Sequence, residues 1–512
     1  MSWRLARDPQ VMAGAAAFAL AAAMALELAR PFRGGPVAFD SAAAVLYFER
    51  VVAGRQLESF VTTLPKPLLT VVYGVLHAAT SDWRPISWAA IIAFALGVGL
   101  STVLAYRLAG AIAAGFMAVG LGTAPQLLLD AGLALAWGWG LLGISLAALA
   151  LAQPRPRYGL AGIALGLAVL ARVELGLLVV GVVAWVVIAS LRAWRAGRPI
   201  PVAPMKLIVS ALALPVMLAH DWLLTGNPLH WTGIADRYSA GISEVPNAAE
   251  IWGRVVARYA DVAVLPFIAL VGVVWLYRNG RGWLASGLVL LAPGVTAFLL
   301  ILAARGTFVD DRYFAAVDVA MVSAAAFGFA PLRDALPRLG ERLGAIPRAV
   351  RGVVPFVAGA LAGIVLTAAW AAFDPVLRDP VRNQLRVAID TLEVLPILEA
   401  FVDGHPASHT FAPESLDGTP VALVPVRVRT HLVVDLETPL PEVGSTAGPL
   451  IDLRAGYPRP GQIVYHHLYG ERYTGGFDVL KTTVPVERDG VRIVPLQVDE
   501  DRGYWVVAIE EP

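Results

Sequence analysis

About eleven stretches of this 512-residue chain are apolar over roughly the 20 residues needed to cross the hydrocarbon core of a bilayer. They lie at Val11–Leu28, Ile86–Tyr106, Leu108–Leu121, Leu133–Ala152, Tyr158–Ala171, Leu175–Leu191, Leu207–Leu224, Val262–Tyr277, Trp283–Ala303, Tyr313–Ala330 and Val353–Trp370. In lipid every backbone polar group needs an internal partner, so stretches of this kind are expected as helices. Composition agrees. Hydrophobic residues make up 57% of the chain and charged residues 15%, with mean hydropathy +0.66. A soluble domain carries about 25% charged residues. A single soluble enzyme and a disordered chain are therefore both excluded. The first stretch is long and lacks a small-x-small cleavage site, so it is expected as a retained span rather than a signal peptide.

The fold class expected is a polytopic α-helical membrane protein of about 11 transmembrane helices, with a C-terminal extracytoplasmic α/β domain. Arginine sets the orientation. With Arg4 and Arg7 in the cytoplasm, the Arg155/Arg157, Arg192/Arg195/Arg198/Lys206, Arg278/Arg281 and Arg333–Arg351 connections also fall inside. The long connections, Ala29–Pro85 and Thr225–Asp261, then lie outside, where loops held by a scaffold carry function. The expected protein is multi-pass in the plasma (inner) membrane, N-terminus cytoplasmic and C-terminus outside. Residues 1–372 form the transmembrane part, with a large first outer loop at 29–85, and residues 373–512 form the outer domain. In that tail, Leu377–Phe401 has Val381, Leu385, Ile389, Leu392 and Leu395 at helical spacing, and Val421–Val428, Thr430–Asp435, Leu450–Leu453, Gln462–His466, Val491–Gln497 and Tyr504–Ile509 have the pattern of strands.

Net charge is +1, so no basic field argues for a nucleic-acid partner. The 0 cysteines remove disulfides, thiolate catalysis and iron–sulfur clusters. No Walker loop and no H-E-x-x-H occurs. Chemistry falls to ionisable residues in the outer connections. Asp40 is either a helix N-cap or a partly desolvated general base. Glu49 belongs to a solvated helix face or to a binding surface, and Lys66 snorkels or meets a lipid phosphate. Arg172 and Glu174 form an ion pair at a hairpin tip or a functional pair at membrane depth. His220 and Asp221 end a span, where they assist catalysis, hold a metal or cap the helix. Arg312 opens a span and suits bidentate contact with phosphate. Asp130 is a further acidic candidate. Asp40, Asp221, Asp310 and Asp311 are the candidate ligands of a divalent cation (Mg²⁺, Mn²⁺ or Ca²⁺), which favours oxygen donors.

Several of these features occur together and in order. Asp40 stands in a large first outer loop. Arg172-Val173-Glu174 looks like an R-P-E turn. Asp221-Trp222-Leu223-Leu224-Thr225-Gly226-Asn227-Pro228-Leu229 looks like a W-L-x-T-G-D-P-L stretch, and Arg312-Tyr313 opens a span ahead of the α/β tail. Over roughly residues 11–372 the chain resembles the GT-C superfamily of integral membrane glycosyltransferases, particularly actinobacterial mannosyl- and arabinosyltransferases. The resemblance implies an inverting enzyme that moves a sugar from a polyprenyl-phosphate donor to a cell-envelope glycan, lipid or protein acceptor, with membrane lipids around it. It implies Asp40 as the base, Arg312, Arg172 and Lys66 on the donor phosphate, and Glu174, His220, Asp221, Asp130 and Glu49 in support. Val173 stands where proline is usual and Asn227 where aspartate is usual, and the first loop has one Asp where many members have an acidic pair. Two other classes fit the composition. One is a polytopic transporter or flippase for a lipid-linked or envelope substrate; the other is a non-catalytic envelope scaffold.

The orientation makes a direct prediction. Alkaline phosphatase fused after Pro512 is expected to be active and a fluorescent protein fused there dark, with the opposite pattern for fusions in the Arg192–Lys206 connection. The reverse result overturns the N-in assignment.

Overall fold

The computed structural model describes residues 8–30, 39–57, 66–199, 202–230, 247–260, 262–307, 309, 311–333, 348–373, 375–404, 422–424, 443–445, 460–467 and 477–512. The chain is a polytopic α-helical membrane protein with a C-terminal α/β region. Among the described residues, six helices are long and apolar enough to cross a membrane: Pro9–Ala29, Arg84–Ala109, Val173–Arg195, Val202–Thr225, Gly282–Ala304 and Arg312–Leu332. Two bent pairs raise the number to eight: Ala111–Gly122 with Pro125–Gly132 at 55°, and Ala248–Ala260 with Val264–Arg278 at 91°. Trp137–Leu151, Tyr158–Ala171 and Val353–Ala369 are shorter apolar helices. All eleven expected stretches therefore fall on helices, yet several are bent or too short to cross alone. The segment before Val262, expected as loop, includes the helix Ala248–Ala260. Hydropathy measures apolar length and is blind to a bend such as that at Thr123–Ala124, before Pro125.

The chain divides into two compact units. The first comprises residues 1–30, 87–217 and 246–379. Lipid is as apolar as leucine, so its helices gain by close backbone packing at small residues. Helix Ala111–Gly122 lies against Arg348–Phe373 at Gly115 and Gly359. A Cβ on Gly115 would stand 2.0 Å from the carbonyl oxygen of Phe356, and one on Gly359 would stand 2.0 Å from that of Ile112. Val264–Arg278 meets Ala315–Gly328 in the same way. There a Cβ on Gly272 would lie 1.8 Å from the Ala324 carbonyl oxygen. Exposed Val180, Trp185, Ile188 and Leu191 give Val173–Arg195 an outward apolar face suited to lipid.

The second unit comprises residues 31–86, 218–245 and 380–512. Helices Phe39–Val52 and Pro67–Thr80 pack together within it. The Leu57 N–H donates to the Leu224 carbonyl at 2.9 Å. Its sheet has strands β1 (Ala422–Val424), β2 (Val443–Ser445), β3 (Gln462–His467), β4 (Val486–Arg488), β5 (Val491–Asp499) and β6 (Tyr504–Glu510) in the order β2-β1-β3-β6-β5-β4. β1 pairs parallel to β2 and β3, and the other pairings are antiparallel. Val464, Trp505, Val507 and Ile509 pack with Leu480 on one face of the sheet. From the other face Tyr465 and His467 reach the helix Pro375–Gly404, which is why β3 and β6 are buried on both sides.

That helix corrects one detail of the sequence pattern. Its described buried stripe is Val387, Asp390, Thr391, Val394, Leu395 and Leu398; of the expected apolar set Leu395 is buried, Ile389 and Leu392 are half-buried, and the side chains of Val381 and Leu385 lie outside those described. Asp390 turns inward because its Oδ2 lies 2.8 Å from His467 Nε2 and its Oδ1 accepts from Arg502 Nε at 2.7 Å. Tyr465, His466, His467 and Trp505 are buried in this packing. The expected strands at Thr430–Asp435 and Leu450–Leu453 lie outside the described residues.

The glycine contacts set a stability test. Gly272→Ala has to displace backbone, and is expected to destabilise the detergent-solubilised chain by about 1–3 kcal/mol, the usual range for overpacking. Gly287→Ala meets nothing within 4 Å. It is expected to be neutral or slightly stabilising through helix propensity. Thermal unfolding of the two variants in parallel checks both.

Candidate functional site

In the second unit, a polar cluster forms where three helices supply side chains. Lys66 precedes Pro67, whose fixed ring opens the helix Pro67–Thr80 and biases Lys66 toward extended backbone. Lys66 Nζ donates to Asp40 Oδ2 at 3.0 Å, and both side chains are nearly buried. Asp40 lies in the first turn of Phe39–Val52. Tyr47 follows it by seven residues, two turns on, so the two share a face. Burial first, and then the charges of Asp40 and Asp221, push the Tyr47 phenol well above its ordinary value. Tyr47 therefore keeps its proton. His220 lies edge-on to Tyr47, with centroids 6.0 Å apart, and its Nε2 is 3.0 Å from Thr70 Oγ1. Among the described residues His220 Nδ1 has no hydrogen-bond partner, and it stands 3.9 Å from Asp221 Oδ1. Asp221 is buried. Glu49 lies on the same helix as Asp40, half-buried, with Oε1 4.0 Å from His77 Nδ1.

The first unit holds the other candidates. Helix Tyr158–Ala171 ends at Arg172, which is extended, and Val173–Leu175 makes a tight 3₁₀ turn. This turn brings Glu174 back onto Arg172. Both Nε, at 2.8 Å, and Nη2 of the guanidinium donate to Glu174 Oε1. The guanidinium also lies over the rings of Trp137, at 5.2 Å, and Tyr313, at 6.0 Å. Asp130 is fully buried, accepts from Gln126 Nε2 at 2.8 Å, and its charge acts on Arg172. Arg312 sits half-buried in the 3₁₀ turn Asp311–Phe314. Asp310 lies outside the described residues, as does the side chain of Asp311.

The sequence candidates thus assemble in two sets: Asp40, Lys66, His220 and Asp221 in one unit, and Asp130, Arg172 and Glu174 in the other. Sequence reasoning missed Tyr47 and Thr70. It also missed a buried group at Arg258, Tyr259 and Asp318. Arg258 Nε donates to Asp318 Oδ1 at 2.8 Å, Nη2 donates to Oδ2, and Tyr259 Oη donates to Oδ1 at 2.8 Å. Its available signal was a carboxylate inside an apolar stretch, which is costly without a partner. Among the described residues, no group of three or more His, Asp or Glu is gathered as a metal site. Asp40 oxygen faces an ammonium, so the donor set described does not by itself make a cation cage.

No protein-family model matches the chain, and no curated protein matches it. Among solved structures it is similar to ArnT from Cupriavidus metallidurans bound to undecaprenyl phosphate. Identity there is 15%, coverage 96% of this chain and 97% of that chain, and TM-score 0.49. The apo state of the same protein gives 15% identity over the same shares and TM-score 0.44. The archaeal oligosaccharyltransferase AglB from Archaeoglobus fulgidus, in complex with an inhibitory peptide and a dolichol-phosphate, gives 14% identity, 82% of this chain, 63% of that chain and TM-score 0.42.

Proposed function

We propose that the chain is an inverting glycosyltransferase that takes a sugar from a polyprenyl-phosphate donor and delivers it to an envelope glycan, lipid or protein acceptor at the outer face of the membrane. The observation that carries this reading is the nearly buried Asp40–Lys66 pair at 3.0 Å, beside Tyr47. Lys66 Nζ stands against the carboxylate that is proposed to act as the base. In the proposed reaction Asp40 takes the proton of an acceptor hydroxyl while that oxygen attacks the anomeric carbon. The bond from that carbon to the phosphate oxygen breaks, and polyprenyl phosphate leaves from the opposite face with the electron pair. Negative charge grows on the phosphate, which Lys66 and Arg312 are proposed to stabilise. Arg172, assigned to the phosphate by resemblance, has Nε and Nη2 already donated to Glu174. His220 and Asp221 complete the polar surroundings of Tyr47.

A second reading draws on the two bent helix pairs, because broken helices carrying polar groups are common in transporters. Pro125–Gly132 carries the buried Gln126 and Asp130. Vesicles containing the full chain that move a polyprenyl-phosphate sugar across the bilayer without transferring it would select transport instead.

The transferase reading predicts that Asp40→Asn lowers transfer from radiolabelled polyprenyl-phosphate sugar by about 10²–10⁴-fold, the range of general-base catalysis. Asp40→Glu is expected to retain part of the rate. A folded Asp40→Asn protein with undiminished transfer sinks the assignment.

A further inference from the structure

We infer that Arg258, Asp318 and Tyr259 are positioning residues that fix the segment 312–318, and with it Arg312, for the donor phosphate; this rests on the transferase reading. Asp318 receives three hydrogen bonds from two neighbours: Arg258 engages both carboxylate oxygens and Tyr259 adds a third bond at 2.8 Å. Arg258 is 1% exposed and Asp318 2%. Burying both charges is costly, and well-packed apolar replacements of such pairs are often neutral or stabilising. What a two-point fork supplies that an apolar contact does not is fixed distance and angle.

That fixed geometry lands on one short segment. Asp318 is six residues after Arg312. Between them stand Tyr313 and Phe314, and each ring is covered by a different buried guanidinium. Arg258 lies 5.8 Å over Phe314 and Arg172 lies 6.0 Å over Tyr313. Consecutive residues of a 3₁₀ turn point about 120° apart. The turn Asp311–Phe314 is therefore gripped from two directions, and each grip is anchored on a carboxylate, Asp318 or Glu174. Arg172 and Arg258 are buried in this work, whereas Arg312, on the backbone they grip, is half-buried.

The test uses the full chain in detergent, with Asp318→Asn, Arg258→Lys and the double variant Arg258→Leu/Asp318→Leu. The double variant removes both charges together, and the two single variants keep the test open should it fail to fold. The first readout is hydrogen–deuterium exchange of the peptide covering 311–318, which needs no activity. Faster exchange is expected. Exchange as slow as in the parent chain overturns the inference. The second readout is transfer kinetics, in which the donor KM is expected to rise about tenfold or more with kcat changed less, since misplacement of about 1 Å can cost 10²-fold. In an Arg312→Ala background the same substitutions are expected to add no further rise. An unchanged donor KM, or an equal rise in that background, means the pair is structural only and overturns the inference. Faster exchange in the variants of a parent chain that transfers no sugar leaves the grip standing and instead removes the transferase reading.

Discussion

A charge inside an apolar helix bundle has to bring its own counter-charge, and much of the local structure follows from meeting that demand. Removing one partner of a buried pair leaves an uncompensated ion, at a cost of roughly 3–5 kcal/mol. Arg172 meets Glu174 across a single 3₁₀ turn, and Arg258 meets Asp318 from another helix. Asp40 meets Lys66, and Asp390 is shared between His467 and Arg502. Each pair constrains where its helix can end or turn. In the first unit the glycine contacts at Gly115, Gly359 and Gly272 allow the close helix packing that surrounds these groups. Small residues and paired charges are complementary parts of one solution, since neither lipid nor water solvates the interior.

How far the sequence could be read depends on the distance over which each interaction acts. Spans and strands follow local hydrophobic pattern, so all eleven apolar stretches fall on helices and Gln462–His466, Val491–Gln497 and Tyr504–Ile509 fall on strands. The Arg172–Glu174 contact was legible because its partners are two positions apart. Asp40–Lys66 was not, although both were singled out, because its partners are 26 positions apart. Arg258–Asp318 was missed altogether across 60 residues. The same limit explains the tail helix. Apolar periodicity selected a stripe through Ile389 and Leu392, but the inward turn of Asp390 depends on His467 and Arg502, which the helix sequence does not contain. Bends were hidden for a related reason: a hydropathy window averages over the break before Pro125.

Pairing also separates candidate residues that look alike in sequence. An arginine near the end of an apolar stretch has two fates. It can be committed to a carboxylate, where its fork fixes the backbone around it, or it can keep its head group partly exposed. Arg172 and Arg258 have the first fate, with guanidinium nitrogens donated to Glu174 and Asp318. Arg312 is half-buried. Lysine differs again, because its ammonium is a point charge with three rotatable donors. Lys66 meets Asp40 through one such donor, whereas in the first unit Arg172 and Arg258 hold Glu174 and Asp318 through two guanidinium nitrogens each. A planar fork fixes distance and angle together and an ammonium fixes distance alone, so each arginine pair restrains the backbone around it more tightly than the lysine pair does.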